Sequence, residues 1–245
     1  MPSRKILALV ALLFVATLLW RLPAGWAIRL LPDSVRCESA RGTAWSGGCA
    51  RLVVAGTTFQ NLRWQLQLRQ WWRGHVGALV QLNDTQVAAS AQLDYSLGNR
   101  LQGRDLKATL RVPSTLVRGL PANFQGQLQL DLPSFEISDG QPVSVQGSLQ
   151  LQELVQQQPH LELGSYELQL AENSWQNGRL NGTLRDLGGP LRLTGTVTLS
   201  VRGEYEVNAR VRASRRAGLE FAQLVEALGP ADAEGMRPIS VAGTF

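Results

Sequence analysis

The feature that constrains this chain most is an alternation of apolar and polar side chains with a period of two. In NLRWQLQLR, residues 61 to 69, Leu62, Trp64, Leu66 and Leu68 fall on one side, and Arg63, Gln65, Gln67 and Arg69 on the other. That spacing describes a half-buried strand, because successive side chains of an extended backbone point to opposite faces. The pattern returns at Val76 to Leu82, Val87 to Tyr95, Leu106 to Val112, Leu128 to Leu132, Val143 to Leu151, Leu161 to Leu163, Tyr166 to Leu170, Leu191 to Val201 and Val207 to Val211. Intervals this short exclude the long crossovers that parallel pairing needs, so the strands are expected to form antiparallel meanders. One face is apolar and the other carries Gln, Arg, Ser, Thr and Asn, so the sheet must curl, stack, or present its apolar face as a groove.

Composition fits that expectation. The 245 residues are 44% hydrophobic and 18% charged, with 24 glycines and 11 prolines, as in a turn-rich ordered chain. A loose repeat, Gly-x-Leu-x-Leu, starts at Gly126, Gly147 and Gly195, with a partial copy at Gly182. Each glycine stands on the apolar side near a strand start, where a missing side chain permits a bend or bulge. Two stretches read as helical: PSTLVRGLP, residues 113 to 121, and GLEFAQLVEALG, residues 218 to 229. In the second, Leu219, Ala222, Val225 and Leu228 are expected to face the sheet, with Glu220, Gln223 and Glu226 opposite. The only soft boundary beyond the N-terminal segment is at residues 113–123.

The start of the chain bears on its compartment. Arg4 and Lys5 precede the uncharged apolar run of residues 6 to 20, which Leu22 extends past Arg21. Positive charge before such a run predicts a cytoplasmic N-terminus and export of the downstream chain. The alternative is a cleaved signal peptide with Gly25-Trp26-Ala27 at its cleavage site. Arg21, Pro23 and Trp26 crowd that site, so an uncleaved transmembrane anchor over residues 1–27, spanning at 6–22, is expected ahead of a β domain over 28–245.

Export changes the meaning of Cys37 and Cys49, the two cysteines of the chain, since thiols in an oxidising compartment tend to pair. A bridge would contribute about 2–3 kcal/mol by restricting the unfolded chain. Free thiols and a metal site are the alternatives, the latter weakened because His75 and His160 lie far off without ligand spacing.

Other chemistries fail on spacing. Ser46 is flanked by Ala44, Trp45, Gly47 and Gly48, which is not a nucleophile elbow. Asp131, Glu136 and Asp139, and Glu204 with Glu206, stand on polar strand faces or turns. The net charge of +5 comes from dispersed arginines; the densest group, Arg210, Arg212, Arg215 and Arg216, has no interleaved aromatics, which argues against nucleic acid. No enzymatic activity, cofactor or metal is expected. Trp71 and Trp72 fall in a turn, where one ring must face outward.

Leu22 to Trp26, then Gly42-Thr43-Ala44-Trp45-Ser46-Gly47, then Leu62 to Leu66 with Trp64, together resemble the type II secretion system protein N family. The resemblance implies an inner-membrane protein with a periplasmic β domain, accessory to the machine that moves folded proteins across the outer membrane of diderm bacteria, with other secretion proteins as partners. It makes Gly42, Thr43, Trp45, Gly47 and Trp64 a structural signature, a hairpin with Trp45 as its packing anchor. The strand repeats are also similar to AsmA-like proteins, whose curled sheets have an apolar inner face associated with lipid handling. By that second resemblance, Leu66, Leu128, Leu130, Leu149, Leu168 and Leu193 would line an apolar groove for phospholipid.

Overall fold

The computed structural model describes residues 6, 9, 10, 13, 14, 17, 18, 20–28, 35–54, 56–67, 74–96, 98–112, 124–158, 160–171 and 175–244. The chain divides into two compact units, Met1–Thr85 and Gln86–Phe245. Both are antiparallel meanders, as the alternation predicts.

In the first unit, β1 (Val35–Gly42), β2 (Ser46–Val54), β3 (Thr57–Gln67) and β4 (His75–Asn83) pair in chain order. β3 keeps the expected alternation: Leu62, Trp64 and Leu66 are half-buried, while Arg63, Gln65 and Gln67 are exposed. Leu68, Trp71 and Trp72 lie outside the described residues. A short helix, Ala24–Ile28, precedes the sheet. Between residues 6 and 20 the described positions are helical, and Ile6, Leu9, Val10, Leu13, Phe14, Leu18 and Trp20 are exposed. Among the described residues no helix is long and apolar enough to cross a membrane. Several residues of the transmembrane helix expected at 6–22 lie outside the described set.

The second unit contains β5 (Val87–Ser96), β6 (Arg100–Val112), β7 (Phe124–Ser138), β8 (Gln141–Gln156), β9 (Leu161–Leu170), β10 (Trp175–Gln176), β11 (Arg179–Gly188), β12 (Leu191–Ser200), β13 (Glu204–Ala213) and β14 (Arg237–Thr244). Strands pair in chain order except that β9 neighbours β11, with β10 a two-residue addition to β11. The helical stretch and soft boundary read over residues 113–123 lie outside the described residues.

The repeat glycines have two mechanical uses. Gly126 and Gly147 sit at register shifts in the β7–β8 ladder, at Gln125/Gln127 and Asp131/Ser134. A bulge there bends the strand, and at Gly147, with φ of 147°, a Cβ would lie 2.1 Å from the Asp131 carbonyl oxygen. Gly182 and Gly195 stay in register but make room. A Cβ at Gly182 would meet Leu168 Cδ1 at 2.6 Å, and one at Gly195 would meet Ala209 Cα at the same distance.

The helix Leu219–Glu226 packs on one end of the apolar face with Val225 inward, as expected, but with Phe221 rather than Leu219 and Leu228 beside it. Phe221 and Val225 are buried against Val211, with Leu161, Leu163, Leu191, Leu193, Ala213, Ala217 and Ile239 around them. Leu219 is 84% exposed and Leu228 52%. The observed helix ends at Glu226, so Leu228 falls beyond it. Within it, burying the ring of Phe221 removes more apolar area from water than burying Leu219, and Val225, one turn on, follows it inward.

Candidate interaction surfaces

The hairpin RGTAWSGG is built around its turn. Gly42, at φ of 87°, takes a left-handed conformation that a side chain resists. The Thr43 N–H donates to the Ser46 carbonyl at 2.9 Å, and the Ser46 N–H donates to Thr43 Oγ1 at 3.1 Å, closing the turn from both sides. Gly47 lies under the Trp64 ring: a Cβ there would be 2.6 Å from Trp64 Cζ2 and 2.8 Å from the carbonyl oxygens of Arg41 and Thr43. The Trp64 indole N–H donates to the Ala44 carbonyl at 3.1 Å. The Trp64 ring thus packs on the turn. Trp45 is half-buried, and its carbonyl accepts from the Leu66 N–H at 2.7 Å.

The same turn grips the chain just after the apolar run. Pro23 forms an antiparallel bridge with Thr43, and the Ala44 N–H donates to the Leu22 carbonyl at 2.8 Å. Ala24 and Ala44 are buried at this junction. The Leu-Pro-Ala start and the Gly-Thr-x-Trp-x-Gly turn are therefore two halves of one clasp. Their separation in sequence gives no local hint that they touch.

Cys37 and Cys49 are bonded across β1 and β2, with Cα atoms 5.8 Å apart. Ladder register alone opposes this, since Cys37 stands opposite Leu52 and Cys49 opposite Ala40. Ser39, at φ of 61°, breaks the extended run between them.

In the second unit the apolar residues align in rows across the strands. One row runs Ala89, Ala108, Leu130, Leu149, Leu168, Leu184, Gly195, Ala209 and Ile239, one residue from each strand of the β5–β14 path. Leu128 stands in the adjacent row between Leu110 and Leu151. Leu128, Leu130, Leu149 and Leu168 are half-buried, neither sealed in a core nor free. Leu193 is half-buried under the Leu219–Glu226 helix, so it belongs to the covered end. Leu66 lies in the first unit, on β3.

The opposite face holds a polar ladder that sequence reading missed. Glu167, 5% exposed, accepts from Arg185 Nε at 2.6 Å and from Gln150 Nε2 at 2.9 Å. Gln152 donates to Gln150 at 3.1 Å and exchanges bonds with Gln129 at 3.2 Å. Only the β7–β8–β9–β11 register brings these residues together. Tyr166, on the apolar side, has its hydroxyl pushed up to about 12, first by burial and then by the charge of Asp186. That hydroxyl donates to the Leu163 carbonyl.

Of the carboxylates considered for acid–base work, Glu136, Asp139, Glu204 and Glu206 are held in side-chain bonds. Glu136 pairs with Arg100 at 3.1 Å, Asp139 accepts from Asn99 at 3.1 Å, Glu204 from Ser200 at 3.2 Å and Glu206 from Asn208 at 2.7 Å. His75 and His160 are both exposed. Arg210, from the densest arginine group, is taken by Asp232 and Glu234 at 3.6 and 2.6 Å. Among the described residues no cluster of three metal-ligating side chains occurs.

What these features define is a β-meander protein whose distinctive parts are an N-terminal clasp and a broad, half-covered apolar face. Residues 33–240 match the family "Type II secretion system (T2SS), protein N", and the chain belongs to that family. It is similar to the type II secretion system protein N of Aeromonas hydrophila, with 26% identity over 248 aligned positions covering 97% of each chain. No solved structure matches the chain.

Proposed function

We propose that this protein is an accessory component of the type II secretion system, held in the inner membrane by residues 1–27 with residues 28–245 in the periplasm. It acts by assembling with other inner-membrane or periplasmic secretion proteins. The observation that carries this reading is family membership over residues 33–240. The clasp supports it: bonding Leu22 and Pro23 to the Thr43–Ala44 turn ties the end of the apolar run to the first sheet. Arg4 and Lys5 ahead of that run set its direction. In the periplasm Cys37 and Cys49 remain paired. Deleting the gene in its native host should shift secreted folded cargo from the medium into the periplasm, and the wild-type chain should restore it. Unchanged partition of every cargo would count against the reading.

A second reading, phospholipid binding by the apolar face, is favoured by one observation. Leu128, Leu130, Leu149 and Leu168 lie in rows that run across the second unit and stay half-buried. Phospholipid that co-purifies with the wild-type chain and is lost from a folded Leu130→Asp variant would favour it.

A further inference from the structure

Among the described residues β14 pairs with β13 alone, so one edge of it carries unpaired backbone groups. Pro238, which stands opposite Arg210, identifies these groups. A proline nitrogen has no proton, so in a strand it is tolerated facing away from the neighbouring ladder. The turn at the other end of β13 gives the same phase. The Gly203 N–H donates to the Ser200 carbonyl at 3.1 Å, closing the β12–β13 hairpin so that the even-numbered residues of β13 bond β12 and the odd-numbered ones bond β14. The free N–H groups on the outer edge therefore belong to Ser240, Ala242 and Thr244.

Edge strands are normally blunted by charge, proline or bulges, because an open edge templates another strand. β1, at the outer side of the first unit, follows that rule with exposed Arg36, Glu38 and Arg41. β14 does not: from Ile239 to Thr244 it reads ISVAGT, uncharged, with Val241 51% exposed and proline only near one end.

We infer that β14 is an interface through which two copies of this chain pair, edge to edge and antiparallel about a two-fold axis at Val241. In that register Ser240 and the partner's Ala242 exchange both backbone bonds, and Thr244 donates to the carbonyl of the partner's Pro238. Pro238 thus falls where its missing proton removes only an end bond. Ile239 stands opposite the partner's Gly243, a large side chain against none, and no charged residue meets its like. Both apolar faces lie on the same side, because a two-fold axis normal to the sheet preserves the face. A heterologous strand would need the same alternation and the same lack of charge; the second copy supplies both.

The two-fold puts Val241 directly opposite the partner's Val241 in a non-hydrogen-bonded pair, with Cα atoms about 4.5 Å apart, within the range a disulfide spans. The test uses the full chain, in membranes and in detergent, carrying Val241→Cys under mild oxidation. A non-reducing gel should shift to twice the monomer mass. Ser240→Cys, which faces residue 242 of the other copy, should link several-fold less. Adding Ala242→Pro to Val241→Cys removes an outward donor without touching the β13 ladder and should abolish the linked species, with circular dichroism unchanged. A Val241→Cys protein that keeps the wild-type dichroism and stays monomeric overturns the inference. So does linkage only to a different protein, identified by mass, which would make β14 a seat for a heterologous strand. Equal linkage at 240 and 241 would contradict the register and the two-fold with it.

Discussion

Gly47→Ala tests the clasp most sharply, because a single methyl group is placed where three atoms already stand. The added Cβ would approach Trp64 Cζ2 to 2.6 Å and the carbonyl oxygens of Arg41 and Thr43 to 2.8 Å. The ring can tilt, but its indole N–H would then leave the buried Ala44 carbonyl, at about 1 kcal/mol. The carbonyls cannot move so easily. Arg41 and Thr43 flank Gly42, which pairs with Gly47 in the β1–β2 ladder, and Thr43 closes the turn with Ser46. Overpacking of this kind costs about 1–3 kcal/mol, so the variant should lose roughly 3 kcal/mol in all. Urea unfolding with the disulfide intact, followed by tryptophan fluorescence, reads that as a midpoint lowered by about 1–3 M. In a Trp64→Leu background the same methyl should still cost about 1–2 kcal/mol, because two of the three obstacles are backbone. An unchanged midpoint, or complete rescue by Trp64→Leu, would refute the geometry.

Other sites carry predictions of their own. Arg185→Leu leaves the buried Glu167 carboxylate without its cationic partner while the Gln150 amide still donates to it, and should destabilise the second unit by about 2 kcal/mol in thermal unfolding; Glu167→Gln with Arg185→Leu should recover part of it. Phe221→Ala should cost about 3 kcal/mol and raise protease cleavage within residues 219–226, whereas Leu219→Ala, at an exposed site, should do neither. Tyr166 keeps its proton longer in the folded chain than in the unfolded one. Its contribution to stability is therefore complete below pH 10 and is lost as pH rises from 10 toward about 12. Phenolate absorbance should show one tyrosine titrating late, and Tyr166→Phe should remove it. Leu130→Asp, at a half-buried position, should be tolerated better in denaturant titrations than Val211→Asp, which buries a carboxylate at a site 2% exposed.

Much of the architecture was legible because period two is a direct record of which face each strand buries. Leu62, Trp64 and Leu66 alternate as read, and Gly126 and Gly147 mark bulges at the repeat starts. What stayed hidden depends on pairing between distant segments. The bond from Ala44 to Leu22 and the buried Glu167 between Gln150 and Arg185 exist only once strand register is fixed. The C-terminal helix shows a different limit. Helical periodicity gave a stripe through Leu219, Ala222, Val225 and Leu228; Val225 is buried as read, but Phe221 rather than Leu219 or Leu228 joins it, packed on Val211, Leu191 and Leu193. The uncharged run ISVAGT is plain in the sequence, but that its strand lies at an edge is a property of topology.

Assembly with the secretion machinery, on which the proposed function turns, is tested most directly by cross-linking in living cells. The full chain, tagged and expressed from its own locus at its native level, would be cross-linked, purified under denaturing conditions, and its adducts identified by mass spectrometry. Assembly predicts adducts with other inner-membrane or periplasmic proteins of the type II secretion system, enriched well above their share of the envelope. Adducts that only track the abundance of bulk envelope proteins, with no secretion component enriched, would contradict it.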